Sequence, residues 1–129
     1  METPQVANQT KEIADRLVEL CRQGRNVEAI DELYHDDVVS LEMADWPGGP
    51  QRVEGIKQVV EKNEQWMDNV QEIHSANVSD PITAGNHFTV KMNYDVTFKN
   101  QGRTQMEELA VYHVDNNGKI TQEQFFYDM

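Results

Sequence analysis

A strict alternation of apolar and polar side chains over residues 88–98 constrains the fold more than any other feature of the chain. The apolar positions are Phe88, Val90, Met92, Tyr94, Val96 and Phe98, and polar residues fill the positions between them. Successive side chains of a β-strand point to opposite faces, so this pattern predicts a long strand with one buried and one solvated face. Such a strand needs a sheet around it and a layer that covers its apolar face.

The residues on either side of this strand predict the rest of a sheet. Gln101 and Gly102 form a turn into a second strand over residues 104–114, and Asn116-Asn117-Gly118 is a strong hairpin signal before a last strand over residues 119–129. An earlier strand is predicted from residue 70 to residue 78 and ends at Asp80-Pro81. One face of that strand holds Val70, His74, Ala76 and Val78.

The first half of the chain predicts three helices. The first opens at Thr3-Pro4 or at Thr10 and closes at Gly24. The second has Asn26 as its N-cap and stops at residues 35–37, and a short strand over residues 38–41 then leads to Glu42. The third follows Gly55 and carries one face of Ile56, Val59, Val60, Asn63, Trp66 and Met67, in which Asn63 is the odd polar member.

Helices first and an antiparallel meander afterwards predict an α+β fold, with the helices on one face of a curved sheet. The chain of 129 residues is long enough for one core and not for two, so we expect a single domain over residues 1–129. Residues 45–50 hold two prolines and two glycines, and this loop presents Trp46.

The composition excludes several classes of function. With 23 acidic and 11 basic residues the formal net charge is −12, so we expect neither nucleic-acid nor membrane binding. No segment is long and apolar enough to span a membrane, the first four residues lack the pattern of a secretion signal, and we expect a cytoplasmic protein. Cys21 is the only cysteine and is expected in the core. The four histidines lack paired spacing, so no metal site is expected.

The strings VEAIDELYHDDVVSLE, VEGIKQVVEKN and VDNNGKITQEQFFYD, in this order, resemble the nuclear transport factor 2-like superfamily and, within it, the SnoaL-like proteins related to ketosteroid isomerases. The resemblance runs over nearly the whole chain and implies a cone-shaped, cystatin-like fold. The superfamily includes ketosteroid isomerases, polyketide cyclases, limonene epoxide hydrolases, dehydratases and members without chemistry, so fold does not fix function. These reactions need no cofactor, and none is expected here.

Family positions carried over one at a time give a mixed result. Glu42 falls where the ketosteroid isomerases keep the aspartate that acts as general base. The isomerase oxyanion-hole tyrosine falls at Leu17, its acidic partner at Ala110 and a supporting tyrosine at Asn63. The aspartate that the cyclases and epoxide hydrolases place on the last strand falls at Phe125. The resemblance therefore supports a general base at Glu42. At the other positions this chain lacks the residues that each well-known reaction needs.

The resemblance also implies which side chains of the last two strands point into the fold, and two sets of residues are expected to face inward. These are Glu108, Ala110, Tyr112 and Val114 on one strand and Glu123, Phe125, Tyr127 and Met129 on the last. Three candidate catalytic residues then share a cavity, with Glu42 as base and Glu108 or Glu123 as acid or partner. The candidate ligand-binding residues are Asn63, Trp66, His74, Phe88, Met92, Tyr94, Tyr112, Phe125 and Tyr127, with Trp46 on a loop that could close the cavity.

Plainer interpretations stay open. Glu42 could lie at a solvated rim, and Glu108 could be salt-bridged to Arg103 or Arg52. The functions left open are a cofactor-independent isomerase, dehydratase or cyclase acting on a small apolar, polyketide- or steroid-like molecule, and a non-catalytic ligand-binding or dimerisation module. The outer sheet face, with Leu109, Val111 and Phe126 inside a polar border, predicts a homodimer.

Overall fold

The computed structural model describes residues 4–45 and 49–128, with side chains from residue 8 onward. The helices are α1 (Pro4–Arg22), α2 (Asn26–Leu33) and α3 (Ile56–Asn69). The strands are β1 (Tyr34–Leu41), β2 (Arg52–Glu54), β3 (Val70–Val78), β4 (Ile82–Ala84), β5 (His87–Phe98), β6 (Gly102–Val114) and β7 (Ile120–Tyr127). Three helices cover a curved, mostly antiparallel sheet, so the predicted α+β class is confirmed.

The sheet brings the two ends of the chain together. Its strand order is β2-β1-β7-β6-β5-β3, with β4 added beside β5. β1 runs parallel to β7, and the other described strand pairs are antiparallel. In the parallel pair Ser40 lies opposite Glu123. This contact between distant parts of the chain positions much of the site described below.

The predicted long strand is observed, and one of its faces is buried in the core. On β5, Phe88, Val90, Met92, Val96 and Phe98 are buried, and Tyr94 is half-buried. The opposite face of β5 is more exposed, as a period of two requires. The helices supply the covering layer, since Leu17 and Leu20 of α1 and Val59 of α3 are buried in the same core.

Several predicted boundaries of the first half of the chain are wrong by a few residues. α1 begins at Pro4, so Thr10 is a buried residue inside it and not its start. Asn26 is the first residue of α2 and makes no cap; Arg25 precedes it without a side-chain cap. The helix ends at Leu33, before the stop expected at residues 35–37, and β1 begins directly after it at Tyr34.

The physical reason for the missed strand start is an irregularity in the β1–β7 pair. The pairing register shifts between Tyr34 and Val39, and Asp36 and Asp37 are exposed on this stretch. Strand geometry therefore tolerates the two aspartates that suggested a break. The short strand β4 was also not predicted, and it lies just after the expected end at Asp80-Pro81.

The hairpin signal before the last strand is confirmed. Gly118 adopts φ 77°, a conformation that favours glycine. Asp115 Oδ1 accepts hydrogen bonds from the backbone N–H groups of Asn117 and Lys119, each at 2.9 Å. The Asp115 side chain thus stabilises the turn. In the part of the chain that is described, no helix has the length and apolar character needed to cross a membrane.

Candidate functional site

A cavity of about 560 Å³ lies between the helices and the inner face of the sheet. Its apolar wall is mainly aromatic and includes Trp66, Met92, Tyr94, Phe98, Tyr112 and Phe125. Its polar lining includes Glu42, Lys62, Asn63, Glu108, Glu123 and Tyr127. A mostly apolar wall with a few converging polar groups is typical of a small-molecule site.

Glu123 is the most deeply buried acid of the cavity, with 6% of its surface exposed. The Tyr34 hydroxyl donates to Oε1, and the Ser40 hydroxyl donates to Oε2 at 2.7 Å. Burial raises the pKa of the Glu123 carboxyl, and the two hydroxyl donors oppose that rise. Both donors come from β1, so the parallel β1–β7 pairing determines how this acid is held.

Lys62 on α3, like Tyr34 on β1, is a cavity residue that sequence reasoning missed. Its Nζ lies 3.1 Å from Glu42 Oε1 and donates to Ser40 Oγ at 2.9 Å. The ion pair is largely shielded, with 12% of the Lys62 side chain and 17% of the Glu42 side chain exposed. The same Nζ lies 5.2 Å from the centroid of the Phe125 ring, within cation–π range.

These contacts join four polar side chains into one continuous network. It runs from Glu42 through Lys62 and Ser40 to Glu123. At its outer end Tyr127 Oη donates to Glu42 Oε2 at 3.4 Å. Glu42 is therefore a paired carboxylate at the cavity wall and not a solvated rim group.

Glu108 lies on β6 between Met92 of β5 and Tyr127 of β7, its neighbours across the sheet. Burial raises the pKa of its carboxyl to about 7, and the charges of Glu42 and Glu123 add to the rise while Lys62 opposes it. Glu108 thus changes its charge near neutral pH, which suits a general acid or base.

The salt bridges considered for Glu108 are not formed. Arg103 pairs with Asp95 at 2.8 Å, and Arg52 pairs with Glu54 at 2.8 Å. Both arginines lie on the exposed side of the molecule, whereas the parity of β6 turns Glu108 toward the cavity. Within the described residues Glu108 has no ion pair.

The structure places most of the predicted ligand-binding residues in the cavity lining. These are Asn63, Trp66, Met92, Tyr94, Tyr112, Phe125 and Tyr127. Ala110 and Val114 share the inward parity and are buried in the core, while Leu109 is 47% exposed on the other face. Trp46 and Met129 lie outside the described residues.

Three expectations about inward residues are wrong. Phe88 is core and not cavity lining, because it is buried and stacked on Tyr112 with ring centroids 4.7 Å apart. His74 is exposed and contacts Thr97 at 2.7 Å and Glu72 at 2.8 Å, since two register shifts in the β3–β5 pair alter its direction. Met67 is 41% exposed and leaves the apolar row of α3.

The chemistry available to the cavity is that of acids, an amine and hydroxyl groups. Burial raises the pKa of the Cys21 thiol to about 12, so this cavity-lining residue stays a neutral thiol. Among the described residues no group of three potential ligands is placed to hold a metal ion. The arrangement suits proton transfer between a bound molecule and carboxyl groups.

Comparison with protein families identifies the class of this chain. A family model described as the SnoaL-like domain matches residues 8–127, so the chain belongs to the SnoaL-like family. The fold is that of the nuclear transport factor 2-like and ketosteroid isomerase-like proteins, as the resemblance implied. Comparison with proteins of curated function gives no match.

Solved structures share this fold, and one of them is also similar in sequence. A Mesorhizobium loti protein described provisionally as a SnoaL-like polyketide cyclase, also labelled a carbohydrate phosphatase, is 36% identical, with TM-score 0.82 over 90% of this chain and 97% of that one. A Jannaschia protein described similarly is 15% identical, with TM-score 0.76 over 99% and 90% of the two chains. An LEH-like epoxide hydrolase of M. tuberculosis is 15% identical, with TM-score 0.68 over 95% and 84% of the two chains.

Proposed function

We propose that the cavity binds a small, mostly apolar molecule with a carbonyl or hydroxyl group and transfers a proton on it without a cofactor. The observation that carries this proposal is the grouping of three glutamates in one aromatic cavity, one of which, Glu108, has a pKa of about 7. A substrate of polyketide type is compatible with the description given to the Mesorhizobium loti relative.

Two of the three glutamates receive different roles. Glu42 is paired with Lys62 and is proposed as the carboxylate base. Glu108, which holds its proton up to neutral pH, is proposed as the acid that donates to the oxygen of the bound molecule. Tyr127 is the register partner of Glu108 on the neighbouring strand, and its hydroxyl donates to Glu42.

A second candidate function is ligand binding without chemistry. It is favoured by the two positions where the isomerases keep their oxyanion donors, because Leu17 and Ala110 are apolar and buried. Without donors at those two positions an enolate loses the stabilisation that an oxyanion hole provides. The two functions differ in whether the protein accelerates the loss of a proton from carbon.

We predict that the protein catalyses hydrogen–deuterium exchange at the α-carbon of 2-tetralone, a small apolar ketone with exchangeable protons. Exchange is followed by proton NMR in deuterated buffer. Glu42→Gln should lower the protein-dependent rate by about 100-fold because the base is lost. Glu54→Gln, on the exposed face of β2, is the matched control and should keep the rate. Binding of 2-tetralone without exchange would instead support the second function.

A homodimer through the outer sheet face is proposed as the assembly state. Leu109 and Phe126 are 47% and 42% exposed and lie opposite each other on β6 and β7. Two exposed side chains of this size on adjacent strands form an apolar centre that a second copy could cover.

We predict a mass of twice the 14.9 kDa chain by light scattering at micromolar concentration. Leu109→Lys should yield the single-chain mass, because it places a charge in the centre of the face. Met67→Lys, an exposed methionine on α3, is the control and should leave the mass unchanged. A monomeric wild type would contradict the proposal.

A further inference from the structure

We infer that the ligand of this cavity carries an uncharged hydroxyl group that donates a hydrogen bond to the side-chain oxygen of Asn63, which makes Asn63 a specificity-determining residue. The inference rests on the proposed function and adds the chemical class of the ligand, a hydroxylated apolar molecule. It starts from a single polar atom in the cavity wall.

Asn63 Oδ1 is buried, and no described residue donates a hydrogen bond to it. Buried acceptors are nearly always paired, because an unpaired one loses its interaction with water and gains nothing in return. Asn63 also lines the cavity. The unpaired atom therefore lies where a bound molecule can supply the missing donor.

The neighbours of Asn63 along α3 do not supply that donor in this structure. Val59, four residues earlier, is buried, and Trp66, three residues later, packs against Tyr94 and Phe98 with ring centroids 5.7 Å away in each case. Residues at these spacings share a helix face with Asn63. Asparagine is also a poor helix former, so packing and helix propensity would both favour an apolar residue at this position.

The donors of the cavity network have other acceptors. The Tyr34 and Ser40 hydroxyls donate to Glu123, and Lys62 contacts Glu42 and Ser40. None of these donors reaches Asn63 Oδ1, so a bound molecule that only accepts hydrogen bonds would leave this oxygen unpaired.

An uncharged donor fits better than an ammonium group. Burial is the largest cause of the raised pKa of Glu108, which means that this environment penalises charge. Lys62 already adds a positive charge to the same wall. A hydroxyl meets the acceptor without the cost of burying a second cation.

Three naphthalene probes of similar size test the inference by calorimetric titration. 2-Naphthol donates a hydrogen bond, 2-methoxynaphthalene only accepts, and 2-methylnaphthalene does neither. We expect 2-naphthol to bind the wild type about tenfold tighter than the other two. Asn63→Leu should remove this preference while keeping affinity for 2-methylnaphthalene. Asn63→Asp, which keeps an acceptor, should retain it, and Gln58→Leu, an exposed amide on α3, is the control.

Thermal unfolding gives a second measurement that separates ligand recognition from a structural role. Asn63→Leu should raise the unfolding midpoint of the ligand-free protein, since it removes an unpaired buried acceptor and a weak helix former. A lowered midpoint would overturn the inference, because it would mean that the amide stabilises the fold.

The binding outcomes distinguish the two proposals. Equal affinity for all three probes, or a 2-naphthol preference that persists in Asn63→Leu, overturns the role of Asn63 and leaves the cavity as a ligand site. Tighter binding of 2-methoxynaphthalene would mean that the amide presents its N–H to the ligand and also overturns the inference. No binding of any probe overturns both proposals.

Discussion

Glu108→Gln is expected to be more stable than the wild type at about pH 8 and close to it at about pH 4. The wild-type carboxyl titrates near 4.5 in the unfolded chain and at about 7 in the folded protein. The stability that this carboxyl contributes is fully present below the unfolded pKa and is lost as pH rises to and through 7, because the unfolded chain releases the proton that the folded protein still holds. The loss corresponds to roughly 3 kcal/mol, and glutamine has no such loss.

Urea unfolding at about pH 4, 6 and 8 measures this effect as the difference in unfolding free energy between variant and wild type. Glu107→Gln is the matched control, since Glu107 is the preceding residue, is exposed and lies 3.5 Å from Lys91 on the outer face. Glu107→Gln removes the same formal charge at a position outside the cavity. If both variants showed the same dependence on pH, the buried position assigned to Glu108 would be contradicted.

The sheet was predictable where the signal lies within one stretch of chain. The alternation on β5 needs only the period of two, and the turn at Gly118 needs only its own residues. The parity of β6 and β7 came from the family resemblance, because Leu109 and Val111 are as apolar as Ala110 and Tyr112. The burial of Ala110 and Tyr112 and the exposure of Leu109 agree with that parity.

The predictions that failed concern residues whose positions depend on contacts between distant segments of the chain. His74 would face inward if β3 were regular, but two register shifts in its pairing with β5 change the direction of the side chain. No local sequence pattern indicates these shifts. Lys62 lies beside the apolar row of α3 and reads as a solvated residue in sequence. It enters the cavity because Glu42 and Ser40 of the β1 region meet α3, which only the folded sheet brings about.

Lys62→Met should be the most destabilising single change in the polar network, by about 3 kcal/mol near pH 8. Removing one partner of a shielded ion pair leaves the other charge without compensation, and this costs more than the pair itself contributes. The value is at the lower end of the usual range because 17% of the Glu42 side chain is still exposed. Loss of the lysine also removes a charge that lowers the pKa of Glu108, so this carboxyl should titrate above 7.

A double-mutant cycle tests this origin of the effect. Glu42→Gln combined with Lys62→Met should restore most of the lost stability, since the charge that Lys62 pairs with is then also removed, and urea unfolding of the four proteins gives the coupling free energy. Lys57→Met, an exposed lysine on the same helix, should change stability by less than about 0.5 kcal/mol. Additive single effects would show that Lys62 acts by packing on Phe125, 5.2 Å from its ammonium nitrogen, and not by compensating Glu42.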